Sequence, residues 1–528
     1  MTRMQAQSVS QFLDSGADGP CLIDGGSPIG FAQLRQRSQS VAAGLAALGI
    51  KPGDRVALWL PNRSAWLEVF FACARLGAIA VSINTRFRSA EVSDLLFRSR
   101  ASVLVYWPGY KEIDFTGILG QCGADSLQHL NTVVLYSEDS APAPATAAGK
   151  VAVPFSQLRD SAPMTGNAGT PDSPCVIFTT SGTTKAPKLV LHKQSNVLAH
   201  ARNVAAQYSL GPSKKFLLLP PFCGVYGFCS AWAALVSRSL LVLEHAWNPP
   251  QFADLIEQHG ITHFTASNEA LAQLFDCRPE GRIFPSLELL GQANLNPAHA
   301  DIVERGAARG IVMAGLYGSS EMQAVFSLCD PAQEPAVRGR AGGVPASALT
   351  QMRARDPESG RLCAVGEAGE LELKAPESAF VGYFENPEAT AAAFTEDGFF
   401  KTGDLGFIEA NGAFTYLARM GDTLRLGGFL VSPAEIEAVV QDHPSIESCQ
   451  VVGARTREAV RPVAFVIAKA GAQVDEAAVI AFVSERLAKY KVPIRVFGVA
   501  EFPTTPSANG SKVQKTKLRD MAEALLGQ

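Results

Sequence analysis

The chain has 528 residues, 47% hydrophobic and 18% charged, enough for two to four folded domains and unlike a disordered polymer. Its net charge of −4, without a long basic run, argues against nucleic acid, and no apolar run approaches the ~20 residues of a membrane span. Ten scattered cysteines without a C-x-x-C pair, and an N-terminus without an apolar signal core, predict reduced thiols in a cytoplasmic protein.

Residues 31–48 read as a helix that breaks at Gly49 and Lys51-Pro52-Gly53. Residues 55–60 form a buried strand stopped by Pro61-Asn62, 66–76 an apolar helix and 79–83 the next strand. A helix over 91–98 and a strand over 101–106 continue the alternation, which predicts parallel βαβ units in a doubly wound sheet. Residues 138–172, rich in Ala, Pro, Ser and Gly, read as a loop.

That loop leads to residues 176–192, VIFTTSGTTKAPKLVLH, around which the chain is organised. Val176, Ile177 and Phe178 suggest a buried strand; Thr179 to Thr184 then bring five hydroxyls and Gly182, followed by Lys185 and Lys188. Glycine admits close approach of an anion, hydroxyls and amides donate to it, and lysine adds compact positive charge, a combination suited to polyphosphate. It is not a P-loop, since no glycine precedes Lys188 and Leu189 follows it. Composition alone serves equally a flexible Ser/Thr loop between two strands.

Residues 195–208 read as a helix and 216–219 as a strand ending at Pro220-Pro221-Phe222-Cys223-Gly224. Short strands recur at 261–266 and 287–290, the second running into Gly291-Gln292-Ala293. His259 and His263 lie four apart across the break at Gly260 and lack further ligands for a metal. In Gly315-Leu316-Tyr317-Gly318-Ser319-Ser320-Glu321-Met322, an aromatic ring can stack on a base, a hydroxyl can donate and a carboxylate can hold Mg²⁺. Standing alone, the same string is a turn before an N-capped helix. An alternating strand over 366–373 leads through Gly382-Tyr383 to Thr402-Gly403-Asp404, with Arg419 15 residues later. A βαββα-like pattern follows, and a Pro/Ser/Asn/Gly loop near the end carries Lys512 and Lys515.

Taken together and in this order, these motifs resemble the adenylate-forming superfamily of acyl-CoA synthetases, aryl-CoA ligases, luciferases and adenylation domains, most closely an acyl-CoA synthetase. The resemblance runs from about residue 32 to 519. It implies an α/β fold: a large N-terminal domain (1–421) of doubly wound sheets with helices and a smaller β subdomain, then a small mobile α+β C-terminal domain (422–528), hinged near Gly421-Asp422. It implies a two-step ligase that uses ATP, Mg²⁺ and coenzyme A, or a carrier-protein thiol, on a small carboxylic acid. By resemblance the nucleotide falls to Thr180, Ser181, Gly182, Thr183, Thr184, Lys188, Tyr317, Gly318, Asp404 and Arg419. Ser320, Glu321 and Lys512 become catalytic, Glu321 meets the metal, and Gly428 lies in the thiol channel.

Several positions depart from the family pattern. Lys185 and Leu189 replace loop glycines, Cys223-Gly224 stands where a histidine is usual, and Ala418 precedes Arg419 in place of glycine. Gly421 occupies the usual pivot position, and Ser511 separates Gly510 from Lys512, with Lys515 as the other candidate lysine. Amino-acid-activating relatives hold the substrate ammonium with an aspartate, but no Asp or Glu occurs over residues 216–243. An apolar acid, fatty or aromatic, is therefore expected, with Phe222, Val225, Tyr226 and Phe228 as pocket walls.

Overall fold

A computed structural model describes residues 6–138, 144–180, 187–278, 283–296, 299–421, 424–426, 429–456, 460–487, 489–507 and 510–527, with backbone alone at 425, 429–430, 506–507 and 510–512. Two large sheets dominate it. In the first, the strands Pro174–Thr179, Ile79–Ser82, Arg55–Trp59, Val103–Tyr106, Thr132–Leu135 and Lys150–Pro154 run parallel in that spatial order. Leu189–Lys193 then joins Pro174–Thr179 antiparallel, and the two-residue strand Gly382–Tyr383 closes that edge.

In the second sheet, Pro20–Asp24, Leu240–Leu243, Lys215–Leu218, His263–Ser267, Leu289–Ala293 and Met313–Tyr317 are parallel. From Met313–Tyr317 onward it continues as an antiparallel extension that includes Gly369–Lys374, Phe400–Ile408 and Phe414–Arg419. The doubly wound reading is thus met by two sheets, and the antiparallel extension supplies the β portion.

The helix Ser64–Leu76 shows why the sheets hold together. Every one of its 13 residues is buried, and it ends at Gly77, whose φ of +68° suits a left-handed cap. Its two charged residues survive burial because each is paired: Glu68 accepts two bonds of 2.8 Å from Arg159, and Arg75 donates to Asp14 at 2.5 Å. Trp66, Phe70 and Phe71 join Phe222, Phe228 and Trp232 in one aromatic core that draws side chains from both sheets.

Three local expectations are corrected. The stretch read as a loop contains the parallel strand Lys150–Pro154 and the short helix Phe155–Arg159. Lys-Val-Ala-Val-Pro is too short and too lightly apolar to stand out, and its pairing with Thr132–Leu135 supplies the missing stability. Gly291-Gln292-Ala293, where the family resemblance implies a turn, is the continuing strand, because Ala266 and Ser267 pair with Gln292 and Ala293 on one side and Gly315 pairs with Gln292 on the other. The C-terminal portion has more than βαββα: after the antiparallel pair Ile446–Arg455 and Val460–Ala468 and the helix Glu476–Ser484 come the strand Arg495–Gly498, the hairpin Thr504–Ser507 with Gly510–Val513, and the helix Lys515–Leu526. Two hydrophobic clusters consist wholly of residues from 424 onward.

Candidate active site

Residues 317–326 leave the last parallel strand and form the turn on which the site is built. Tyr317 ends Met313–Tyr317, and its carbonyl accepts from the Phe326 amide at 2.9 Å, closing the loop at its base. A Cβ on Gly318 would lie 2.6 Å from the Ala324 Cα, so the crossing requires glycine. Gln323 and Val325 sit at φ of +59° and +61°. For a β-branched valine this left-handed geometry costs of order 1–3 kcal/mol and persists only where surrounding contacts enforce it.

Those contacts are present. His192 Nε2 donates to the Ser320 carbonyl at 2.8 Å, and His200 Nε2 donates to the Ala324 carbonyl at 2.9 Å. His200 Nδ1 accepts from the Ser378 hydroxyl at 2.9 Å, and Gln323 Nε2 donates to the Asn196 and Ser378 carbonyls. The Ser319 hydroxyl accepts from the Met322 amide at 3.2 Å, and the Phe380 amide donates to the Glu321 carbonyl at 2.8 Å.

Both histidines are buried, and burial pushes each down to about 4. The unfolded chain therefore takes up these protons first. Stability is intact above the ordinary histidine value near 6.5 and falls as pH drops from there toward 4, at about 1.4 kcal/mol per pH unit for each ring. Urea unfolding measured from about pH 7 to pH 4.5 is expected to show this decline. A midpoint flat over that range would mean that neither ring needs to remain neutral.

Two groups of side chains meet on this turn. On one side, the Tyr317 hydroxyl donates to Asp404 Oδ2 at 2.5 Å, and Arg419 Nη1 lies 3.1 Å from Asp404 Oδ1 and 3.0 Å from the Thr402 carbonyl. Asp404 and Arg419 are direct partners in the antiparallel pair Phe400–Ile408 with Phe414–Arg419, which explains how residues 15 apart converge. Asp404 is 2% exposed, whereas the Arg419 side chain is 48% exposed and able to meet a ligand. Burial, then the Asp404 charge, raises the Tyr317 phenol well above its ordinary value, so it remains a donor.

On the other side lies the hairpin formed by Pro174–Thr179 and Leu189–Lys193. The Thr180 amide donates to the Lys188 carbonyl and the Lys188 amide to the Thr180 hydroxyl, both at 3.0 Å, so the loop leaves and returns at one point. Ser181, Gly182, Thr183, Thr184 and Lys185 lie outside the described residues. The Lys188 ammonium stands 4.4 Å from the centre of the Tyr383 ring, and the Tyr383 hydroxyl donates to Glu321 Oε1 at 2.8 Å.

The expected pocket residues form part of the core. Phe222, Tyr226 and Phe228 are each below 5% exposed, and Val225 is half-buried at the start of the helix Val225–Val236. The Phe222 ring stacks on Trp66 at 5.0 Å, and the Tyr226 hydroxyl donates to the Ala266 carbonyl at 3.1 Å. They follow the strand Lys215–Leu218 at its C-terminal end, where parallel sheets bind ligands.

Toward the C-terminus, the Gly421 carbonyl accepts from Arg519 at 3.1 Å, while Asp422 and Gly428 lie outside the described residues. The Lys512 backbone pairs with Thr505 in a hairpin, and its side chain is not described. Lys515 is taken up elsewhere: its ammonium is 2.6 Å from Glu437 Oε1.

Tyr383, His192, His200 and Gln323 received no role from the sequence. His192 closes the loop stretch and Tyr383 lies within a motif already singled out, but only the strand pairing of Val190 with Tyr383 brings that ring to the loop.

The chain matches the AMP-binding enzyme family over residues 11–384 and the AMP-binding enzyme C-terminal domain over residues 435–509. It belongs to the AMP-binding enzyme family. It is 30% identical over 507 residues to a feruloyl-CoA synthase of an Amycolatopsis species, covering 94% of each chain. It is 30% identical over 474 residues to a 2-succinylbenzoate–CoA ligase of Geobacillus kaustophilus, covering 90% of this chain and 89% of that one. In fold it is similar to ATP-bound MatB from Rhodopseudomonas palustris, with a TM-score of 0.85, 24% identity, and coverage of 99% of this chain and 100% of that one.

Proposed function

We propose that this chain is an ATP-dependent carboxylate–CoA ligase that forms an acyl-adenylate and then an acyl-CoA thioester from an apolar, fatty or aromatic acid. The observation that carries this reading is the convergence of Lys188, Tyr383 and Glu321 with Tyr317, Asp404 and Arg419 on the single turn 317–321. A cation and a carboxylate for a metallated polyphosphate thus lie beside a ring, an acid and a guanidinium suited to a nucleoside. Relatives named as CoA ligases of aromatic acids support the substrate class.

In the first step a substrate carboxylate oxygen bonds to the α-phosphorus of ATP, and the bond to pyrophosphate breaks. The carboxylate is ionised near neutral pH, so no base is required, and the protein acts by positioning and by charge. In the second, the thiol sulfur bonds to the acyl carbon, AMP leaves, and the thiol proton passes to solvent. Among the described residues no group of three or more His, Cys, Asp or Glu side chains is arranged to hold a metal. Glu321 is the protein carboxylate that would hold a magnesium ion brought in with the phosphates. Magnesium supplies charge neutralisation there. The phosphates fall to Thr180, Ser181, Gly182, Thr183, Thr184 and Lys188, the hydroxyl contact to Ser320, and the close approach to Gly318.

A division near Gly421-Asp422, with a lid domain carrying Lys512 and a thiol path at Gly428, belongs to the same proposal. The self-contained clusters from residue 424 onward support it. No described helix is long and apolar enough to cross a membrane. A cytoplasmic location is part of the reading and draws on ten unpaired cysteines, eight of them buried.

The test is a panel of fatty, aromatic and dicarboxylic acids with ATP and magnesium, following pyrophosphate with CoA, with a phosphopantetheine-bearing carrier protein, and with neither. Pyrophosphate release that turns over only with CoA is expected. Turnover only with the carrier would reassign the thiol, and no release with any acid would favour a nucleotide-binding protein without turnover.

A further inference from the structure

We infer that Tyr383 is a positioning residue that sets the Glu321 carboxylate for magnesium. The inference rests on the reading of Glu321 as the metal's protein ligand. Glutamate has three side-chain torsions to freeze before one oxygen can meet a cation, and nothing in its own backbone fixes them. Here the phenol holds Oε1 at 2.8 Å, and the Phe380 amide, three residues earlier in the same segment, holds the Glu321 carbonyl at 2.8 Å. One short segment thus grips the residue at both its backbone and its side chain.

Tyr383 is itself well fixed. It pairs with Val190 in the strand that leaves the phosphate loop, its amide donates to the Thr390 hydroxyl at 2.9 Å, and its ring packs edge-on against Phe380 at 4.9 Å. Only 6% of the residue is exposed. The ring face that carries the Lys188 ammonium belongs to the side chain whose hydroxyl holds Glu321. The distance between the cation for the phosphates and the carboxylate for the metal is therefore set by one rigid ring. A tyrosine present only to fill the core would need its ring and not its hydroxyl.

Tyr383→Phe retains the ring and deletes the hydroxyl. ATP binding to the full chain, measured by calorimetry with magnesium and with EDTA, separates the two roles. A hydrogen bond to a charged group corresponds to about tenfold or more in an equilibrium constant. The variant is expected to bind ATP in EDTA within about twofold of the wild type and to lose about tenfold of the magnesium-dependent gain in affinity. Added to Glu321→Gln, the same change should have less than about a twofold effect, because it acts through that carboxylate. An undiminished gain in Tyr383→Phe, or an equal loss in the Glu321→Gln background, would overturn the role of Tyr383 alone. An undiminished gain in Glu321→Gln itself would overturn Glu321 as the metal's ligand, and this inference with it.

Discussion

Lys512→Ala is expected to lose most acyl-adenylate formation while an acyl-adenylate supplied from outside is still converted to acyl-CoA. The lysine is proposed to meet the substrate carboxylate and the α-phosphate, where its ammonium stabilises charge that water reaches poorly. The proposed rotation of the lid domain carries the lysine away before the thiol attacks, so a selective defect follows. Acetylation of the same side chain should act in the same way, by removing its charge.

The neighbouring lysine supplies a contrast that the structure sharpens. Lys515 donates to Glu437, whose side chain is 4% exposed and also accepts from the Val451 amide at 2.8 Å. Lys515→Ala leaves that carboxylate buried without its cation, a loss of about 3–5 kcal/mol. It should therefore lower thermal stability and damage both half-reactions together. Half-reaction assays and thermal melts on the two variants check this. A selective adenylation defect in Lys515→Ala, with none in Lys512→Ala, would exchange their roles.

Glu321→Gln should slow adenylation by ~10²–10³, the loss typical of one preorganised electrostatic group. The amide keeps the volume and an oxygen able to accept from Tyr383, so the turn held by His192, His200 and Phe380 should persist and the fold with it. Only the charge offered to magnesium is removed. Single-turnover pyrophosphate release at limiting magnesium is the measurement, and an unchanged rate there would take Glu321 out of the site.

Sequence reading succeeded where the physical signal is local. The strands 55–60 and 79–83 and the helix 66–76 declare themselves through predominantly apolar runs, and the structure places Arg55–Trp59, Ile79–Ser82 and Ser64–Leu76 there. Sequence reading singled out Asp404 and Arg419 through the family resemblance, and the structure adds that they face each other across paired strands. It failed where meaning is conferred by a distant partner. Lys150–Pro154 becomes a strand through its neighbour Thr132–Leu135, and Gly291-Gln292-Ala293 is straightened by strands on both sides. Tyr383 is an unremarked aromatic until Val190 is laid against it, and Lys515 resembles any loop lysine until Glu437, 78 positions away, claims its ammonium.

The wholly buried helix Ser64–Leu76 has a consequence for how the molecule comes apart. Its side chains belong to the core that draws on both sheets, so no opening of one sheet alone exposes it. Its amides can reach water only through a fluctuation that parts the two sheets. Their exchange with deuterium is then governed by global opening rather than by fraying, and this segment sets the slow limit of the exchange spectrum. A ligand that binds on the turn of the second sheet and the loop of the first would tie those halves together, and this helix would register its occupancy as slower exchange.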